Sequence, residues 1–182
     1  MNRISNMLIM IENGQLSTYP LDDKLSWEVG RPSKDNSPDI KLYSATASRK
    51  HGRFENKDGV WFYIDYNGKN GTVYKGKKIS QGLNGRLNPI LLNDGDIFVF
   101  GGGEEAVIDA KTIWAMFTTK QYAGEWRTLD TKGCSDLIVT DETDNETKCH
   151  LQKGEVVERK NGMAIYMGDI TYLIGDIHVS GD

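Results

Sequence analysis

The 182 residues, 38% apolar and 26% charged, suffice for a sizeable core and argue against wholesale disorder. A net charge of −4 argues against a general nucleic-acid binder. No apolar run approaches the roughly 18–20 residues of a membrane-spanning helix. Twenty Gly against four Pro, set among short apolar runs, point to tight turns and β-structure rather than long helices.

In chain order, Met7–Ile11 reads as the first strand and turns at Asn13-Gly14. Met1–Ile11 carries one Arg and no small-residue cleavage site, so no signal peptide is expected and the expected compartment is the cytoplasm. Further strands are predicted over Lys41–Tyr43, Val60–Ile64, Thr72–Tyr74, Ile90–Leu92 and Ile97–Phe100. Asn-Gly at 67–68, 70–71, 84–85 and 161–162, with Asp-Gly at 58–59 and 94–95, reads as hairpin turns, because a type I′ turn needs positive φ at both central residues. Gly101-Gly102-Gly103 reads as a flexible turn, since no Lys-Ser/Thr follows to make a phosphate loop. Glu104–Phe117 has helix-like apolar spacing, but its neighbours favour an extended Ile113–Thr118.

Near residue 120 the composition changes. Residues 1–120 hold 16 Lys and Arg against 14 Asp and Glu (+2), and residues 121–182 hold 6 against 12 (−6). A domain over 1–119 and a smaller unit over 120–182 are therefore expected. The second has predicted strands at Leu137–Thr140, Glu155–Glu158, Met163–Met167, Thr171–Leu173 and Ile177–Val179. It also echoes the first in order: Asp136–Val139 against Asp39–Leu42, Lys160–Gly168 against Lys69–Gly76, and Gly175–Val179 against Gly95–Val99. Cys134 and Cys149 make no disulfide scaffold and read as reduced thiols. His51, His150 and His178 stand singly, so no metal or other cofactor is expected.

Three local features follow one another in the first part. Gly30-Arg31 follows the strand-like Trp27-Glu28-Val29. Ser48-Arg49-Lys50-His51 precedes the strand Gly52-Arg53-Phe54. Asp65–Thr72 joins Trp61–Ile64 to Val73-Tyr74. Together with Asp94-Gly95-Asp96-Ile97-Phe98-Val99-Phe100-Gly101, this order resembles the forkhead-associated (FHA) domain, a phosphothreonine-peptide reader, over roughly residues 6–118. The resemblance implies an all-β fold, a two-sheet β-sandwich with its peptide site on loops at one end. The C-terminal part is then a β-rich extension or a truncated, degenerate second FHA-like unit. It has no Gly-Arg or Ser-x-x-His, so no phosphate site is expected there.

The chemistry suits such a ligand. A phosphothreonine carries about −1.5 to −2 charges and three strong acceptors. Arg31 can hold two of them with its planar fork, the Ser48 hydroxyl and the Arg49 amide are further donors, and the Asn70 amide both donates and accepts. By resemblance, the phosphopeptide-binding residues are Arg31, Ser48, Arg49, Lys69 and Asn70, with Gly30, His51, Gly71 and Thr72 in structural support. Lys69 departs from the family, which usually has Ser or Thr immediately before this Asn. Lys34, Lys50, Lys69, Lys75, Lys77 and Lys78 form a basic rim near these loops.

The expected function is phosphothreonine-dependent docking of partners in Ser/Thr kinase signalling, the partner being such a kinase or its substrate. The alternative is a phosphorylation-independent scaffold, such as the cytoplasmic FHA region of a type VII secretion ATPase of the FtsK/SpoIIIE class. An enzyme using Ser48, His51 and Asp65 is disfavoured. In an extended chain positions three apart face opposite ways, and Asp65 reads as a turn-forming carboxylate.

Overall fold

The computed structural model describes residues 5–82, 84–101, 108 and 112–181. Gly102, Gly103 and the Glu104–Val107 stretch, on which a turn and a helix were weighed, lie outside them. The chain divides into two compact units, residues 1–120 and 121–182.

The first unit is a two-sheet β-sandwich. One sheet runs in the order β2 (Gln15–Pro20), β1 (Met7–Glu12), β11 (Ile113–Thr118), β10 (Ile97–Phe100), β7 (Thr72–Tyr74), β8 (Lys77–Lys78). The other runs β4 (Ile40–Lys41), β3 (Ser26–Gly30), β5 (Gly52–Lys57), β6 (Val60–Asp65), β9 (Ile90–Leu91). Among the described residues of this unit only β3 and β4 pair in parallel, and the other ladders are antiparallel. Period-2 alternation turns Leu8, Met10, Phe98, Phe100, Ile113, Ala115 and Phe117 of the first sheet into one core with Trp27, Val29, Ile40, Phe54, Trp61 and Tyr63 of the second. Each such side chain contributes about 1.5–3 kcal/mol by leaving water. The core is aromatic at its centre. Phe54–Tyr63 and Tyr63–Phe98 ring centroids lie 4.9 Å apart, and Tyr74 stacks on Phe98 at 5.0 Å.

The turn chemistry is narrower than the dipeptides suggest. Asn13-Gly14 and Asp58-Gly59 have positive φ at both residues and close the β1–β2 and β5–β6 hairpins. Lys75-Gly76 does the same between β7 and β8 without an Asn or Asp. At 67–68 only Asn67 is left-handed, at 70–71 and 94–95 only the Gly, and at 84–85 and 161–162 neither residue. Those pairs are therefore not type I′ hairpin turns. At 67–68 the tertiary hydrogen bonds of Asn67, given below, hold the backbone.

The second unit is also all β. One sheet runs β12 (Arg127–Asp130), β17 (Ile170–Gly175), β16 (Gly162–Tyr166), β15 (Val156–Arg159), and the other β14 (Glu146–His150), β13 (Asp136–Asp141), β18 (Ile177–Gly181). Leu137, Val139, Leu151, Val157, Ala164, Tyr166, Leu173 and Ile177 form its core, with Cys134 and Cys149, which form no disulfide, packed half-buried against it. The echoed phrases do not hold equivalent places. In the first unit β10 pairs with β7, whereas the matching β18 pairs with β13 and the matching β16 pairs with β15 and β17. Among the described residues, no helix is long and apolar enough to cross a membrane, and no three His, Cys, Asp or Glu side chains are placed to hold a metal ion.

Candidate functional site

Three connections leave the second sheet at one end: 31–39 after β3, 42–51 after β4, and 66–71 after β6. Backbone bonds bring them together. The Arg31 amide donates to the Ser48 carbonyl at 2.9 Å, the His51 amide to Val29 O at 2.9 Å, and the Tyr66 amide to His51 O at 3.0 Å. Gly30 is needed for this approach, because a Cβ there would collide with the Arg49 carbonyl. Gly68 is needed likewise, because a Cβ there would collide with Ser48 Oγ. The Ser48 hydroxyl is thus seated directly against the 66–71 connection. Arg31, Ser48, Arg49, Lys69 and Asn70 all fall in this loop cluster. Arg31 is half-buried as a residue, its guanidinium makes no ion pair or hydrogen bond to another described residue, and the Arg49, Lys50 and Lys69 side chains are also unpaired there.

A buried relay holds the cluster. His51, 1% exposed, accepts the Ser48 backbone N–H on Nδ1 at 3.1 Å. Its proton therefore sits on Nε2 and is donated to Thr72 Oγ1 at 2.9 Å. The Thr72 hydroxyl in turn donates to Asp65 Oδ1 at 2.5 Å. Asp65, 5% exposed, takes three further donors: the Tyr63 hydroxyl at 2.8 Å on Oδ1, and the Asn67 amide at 3.0 Å and Ser80 Oγ at 2.5 Å on Oδ2. His51 also meets Phe100 edge to face at 5.3 Å, which ties the relay to the core. Asp65 does form the expected turn through Asn67, but it is above all a hub between β6, β7 and the 79–81 segment.

In this arrangement Ser48, His51 and Asp65 do not form a nucleophile–base–acid chain. Both ring nitrogens of His51 are committed, to the Ser48 backbone and to Thr72, so neither can take a proton from Ser48 Oγ. Asp65 spends its oxygens on Thr72, Tyr63, Ser80 and Asn67 rather than on the imidazole. A turn does bring position 48 to the His51 ring, but it delivers the backbone amide rather than the hydroxyl.

Three contributors, Asn36, Asn67 and Ser80, lay beyond the sequence reading, and Asn70 has a bracing contact that reading did not give it. Asn36 Nδ2 donates to the carbonyls of Arg31 (3.0 Å) and Arg49 (2.6 Å), joining the first two loops. Asn70 Nδ2 donates to Thr46 O at 3.1 Å, joining the second and third. Asn67, 4% exposed, donates to Gly85 O and Arg86 O and accepts the Gln81 amide, which anchors the 79–86 segment. Ser80 adds the Thr72 amide at 3.0 Å. The only signal for these was local: Asp35-Asn36-Ser37-Pro38 and Asn67-Gly68 are turn-rich.

Burial disfavours charge on His51 and lowers its pKa below the usual 6.5, against a partly opposing pull from Asp65. The neutral ring is thus the folded form. Unfolding lets it take up a proton, so its contribution to stability is full above pH 6.5 and falls as pH drops below that, until the depressed folded-state value is reached. Thermal midpoints measured from pH 8 to pH 5 should decline below pH 6.5 in the wild type, and more shallowly in His51→Gln. Parallel declines would show that His51 does not set the slope.

The FHA domain family model matches residues 27–101, which include every loop of this cluster. Comparison with curated proteins gives no match. Among solved structures, the chain is similar to full-length yeast Pml1p at 20% identity, covering 63% of this chain and 81% of that one, with a TM-score of 0.49. It is also similar to the FHA domain of an Arabidopsis thaliana hypothetical protein at 21% identity, covering 66% and 90%, with a TM-score of 0.46. A third, solved in work on phosphothreonine-dependent FHA domain interactions, is 19% identical, with coverage of 64% and 98% and a TM-score of 0.44. Residues 27–101, within the first unit, thus match the FHA domain family.

Proposed function

We propose that the first unit is a non-catalytic module that docks proteins phosphorylated on threonine by a Ser/Thr kinase. The observation that carries this reading is the unpaired guanidinium of Arg31, held on a loop whose backbone is bonded to Ser48 and braced from beneath by the His51–Thr72–Asp65 relay. A half-buried Arg without a protein carboxylate is a prepared site for an external anion, and its fork matches two phosphate oxygens. Ser48 Oγ and the Arg49 amide supply further donors. Asn70 Oδ1 and the second Nδ2 proton are suited to the peptide backbone beside the phosphothreonine.

Phosphate dependence is the test. A phosphothreonine peptide library and its unphosphorylated twin, titrated against the full chain, should give binding in the first set only. Equal binding by both sets favours a phosphorylation-independent scaffold, and absence of binding by either removes the peptide-reading function altogether.

A further inference from the structure

Lys78 lies on β8, outside the connections that carry Arg31, Ser48 and Asn70, yet its side chain returns to them. Its Nζ donates to the Lys69 carbonyl at 3.2 Å. Its stem crosses Gly71 so closely that a Cβ at that residue would lie 2.6 Å from Lys78 Cε. The fold thus routes a half-buried lysine over a position without a side chain and sets its ammonium at the Lys69-Asn70 corner. A neutral carbonyl takes only one of its three protons, and no described carboxylate pairs with Lys78 or with the exposed Lys69. Asp65, the nearest acid in sequence, is buried and already occupied by four donors. Lys69 carries a second positive charge on the same residue whose carbonyl Lys78 holds, and with no described carboxylate beside either, an anion supplied from outside would be attracted by both.

We infer that Lys78 and Lys69 form a second anion subsite, which takes an acidic side chain of the ligand close in sequence to its phosphothreonine. The inference rests on the phosphothreonine reading above. Ser48 Oγ abuts Gly68 and Lys78 Nζ abuts Lys69 O, so the two donors are at most about 13 Å apart. An extended peptide advances about 3.3 Å per residue, which places the acidic residue within four positions of the phosphothreonine. The chemistry is a carboxylate or a second phosphate, both of which an ammonium pair accepts without demanding a planar fork. Lys69 at the place where the family carries a hydroxyl then has a function. It exchanges a short-range donor for a charge that reaches outward.

The experiment titrates the full chain with a phosphothreonine peptide in alanine flanks, and with peptides carrying one Asp, Glu or phosphoserine at each of the four positions on either side. An acid at one or two adjacent positions should tighten binding about fivefold, and phosphoserine more, in line with one or two partly exposed ion pairs. Lys78→Met keeps the stem over Gly71 and should abolish that gain while leaving the alanine-flanked peptide within about twofold. Lys78→Arg should preserve the gain. A larger gain from phosphoserine than from Asp or Glu assigns the subsite to a second phosphate, and equal gains assign it to carboxylates. An absent gain, or one that survives in Lys78→Met, overturns the subsite even though the alanine-flanked peptide binds. If no phosphopeptide binds the wild type, the parent reading falls and takes the subsite with it.

Discussion

Arg31→Ala is expected to lower affinity for a phosphothreonine peptide by about a hundredfold, the loss typical of truncating one partner of a desolvated, hydrogen-bonded charge pair. The thermal midpoint should not fall, because the guanidinium pairs with no described residue and its removal leaves no internal group unsatisfied. Arg31→Lys separates charge from geometry. It restores a cation without the fork, so it should recover only part of the affinity. Calorimetric titration of the three proteins with one peptide decides the matter. Unchanged binding in Arg31→Ala would show that the phosphate is held elsewhere.

The second large effect is on stability. Asp65→Ala removes the acceptor for four donors at once: Thr72 Oγ1, Tyr63 OH, Ser80 Oγ and the Asn67 amide. Buried donors left unsatisfied cost about 1–3 kcal/mol each before relaxation. A net loss of about 3–5 kcal/mol is expected, enough to lower the midpoint of the first unit by about 10 °C or more. Asp65→Asn keeps one acceptor oxygen but turns an amide towards two donors, so it should lie between. The loss can be followed by tryptophan fluorescence, since Trp27, Trp61 and Trp114 belong to this unit. A midpoint within about 2 °C of wild type would mean that the relay does not brace the loops. Binding should fall with Asp65→Ala even though Asp65 is placed to touch no ligand, because His51 and Thr72 would lose the partner that orients them.

Arg31 and Asp65 differ in how legible they are. Arg31, Ser48 and Asn70 stood out because each lies in a short phrase whose neighbours are fixed by local need: Gly30 for a close backbone approach, and turn-forming residues around Asn70. Asp65 read only as a turn residue. Its partners come from positions 63, 67, 72 and 80, and nothing in their spacing announces that they share one carboxylate. The interior strands β1, β6, β10, β11 and β16 were legible for a similar reason, since apolar runs mark them. The strands β2, β8, β12 and β14 were missed. All four are edge strands, with burial on one face at most and polar residues such as Gln15, Ser17, Thr18, Lys77-Lys78 and Glu146-Thr147-Lys148 along them. The Lys41–Tyr43 and Ile90–Leu92 predictions shrank to two-residue strands, since a brief apolar run meets its partner over only part of its length.

The order of glycines, turns and alternating apolar residues alone determined an all-β chain, its loop phrases and the change of character near residue 120, because such features arise from backbone sterics and side-chain period. Tertiary structure decided which groups are free and which are spent. Arg31 stays unpaired among the described residues, His51 uses both nitrogens internally, and Lys78 reaches across Gly71 to a loop nine residues away from its own position. Hydrogen-bond saturation and charge neutralisation depend on distances between residues remote in the chain, and only the folded packing of the two sheets sets those distances.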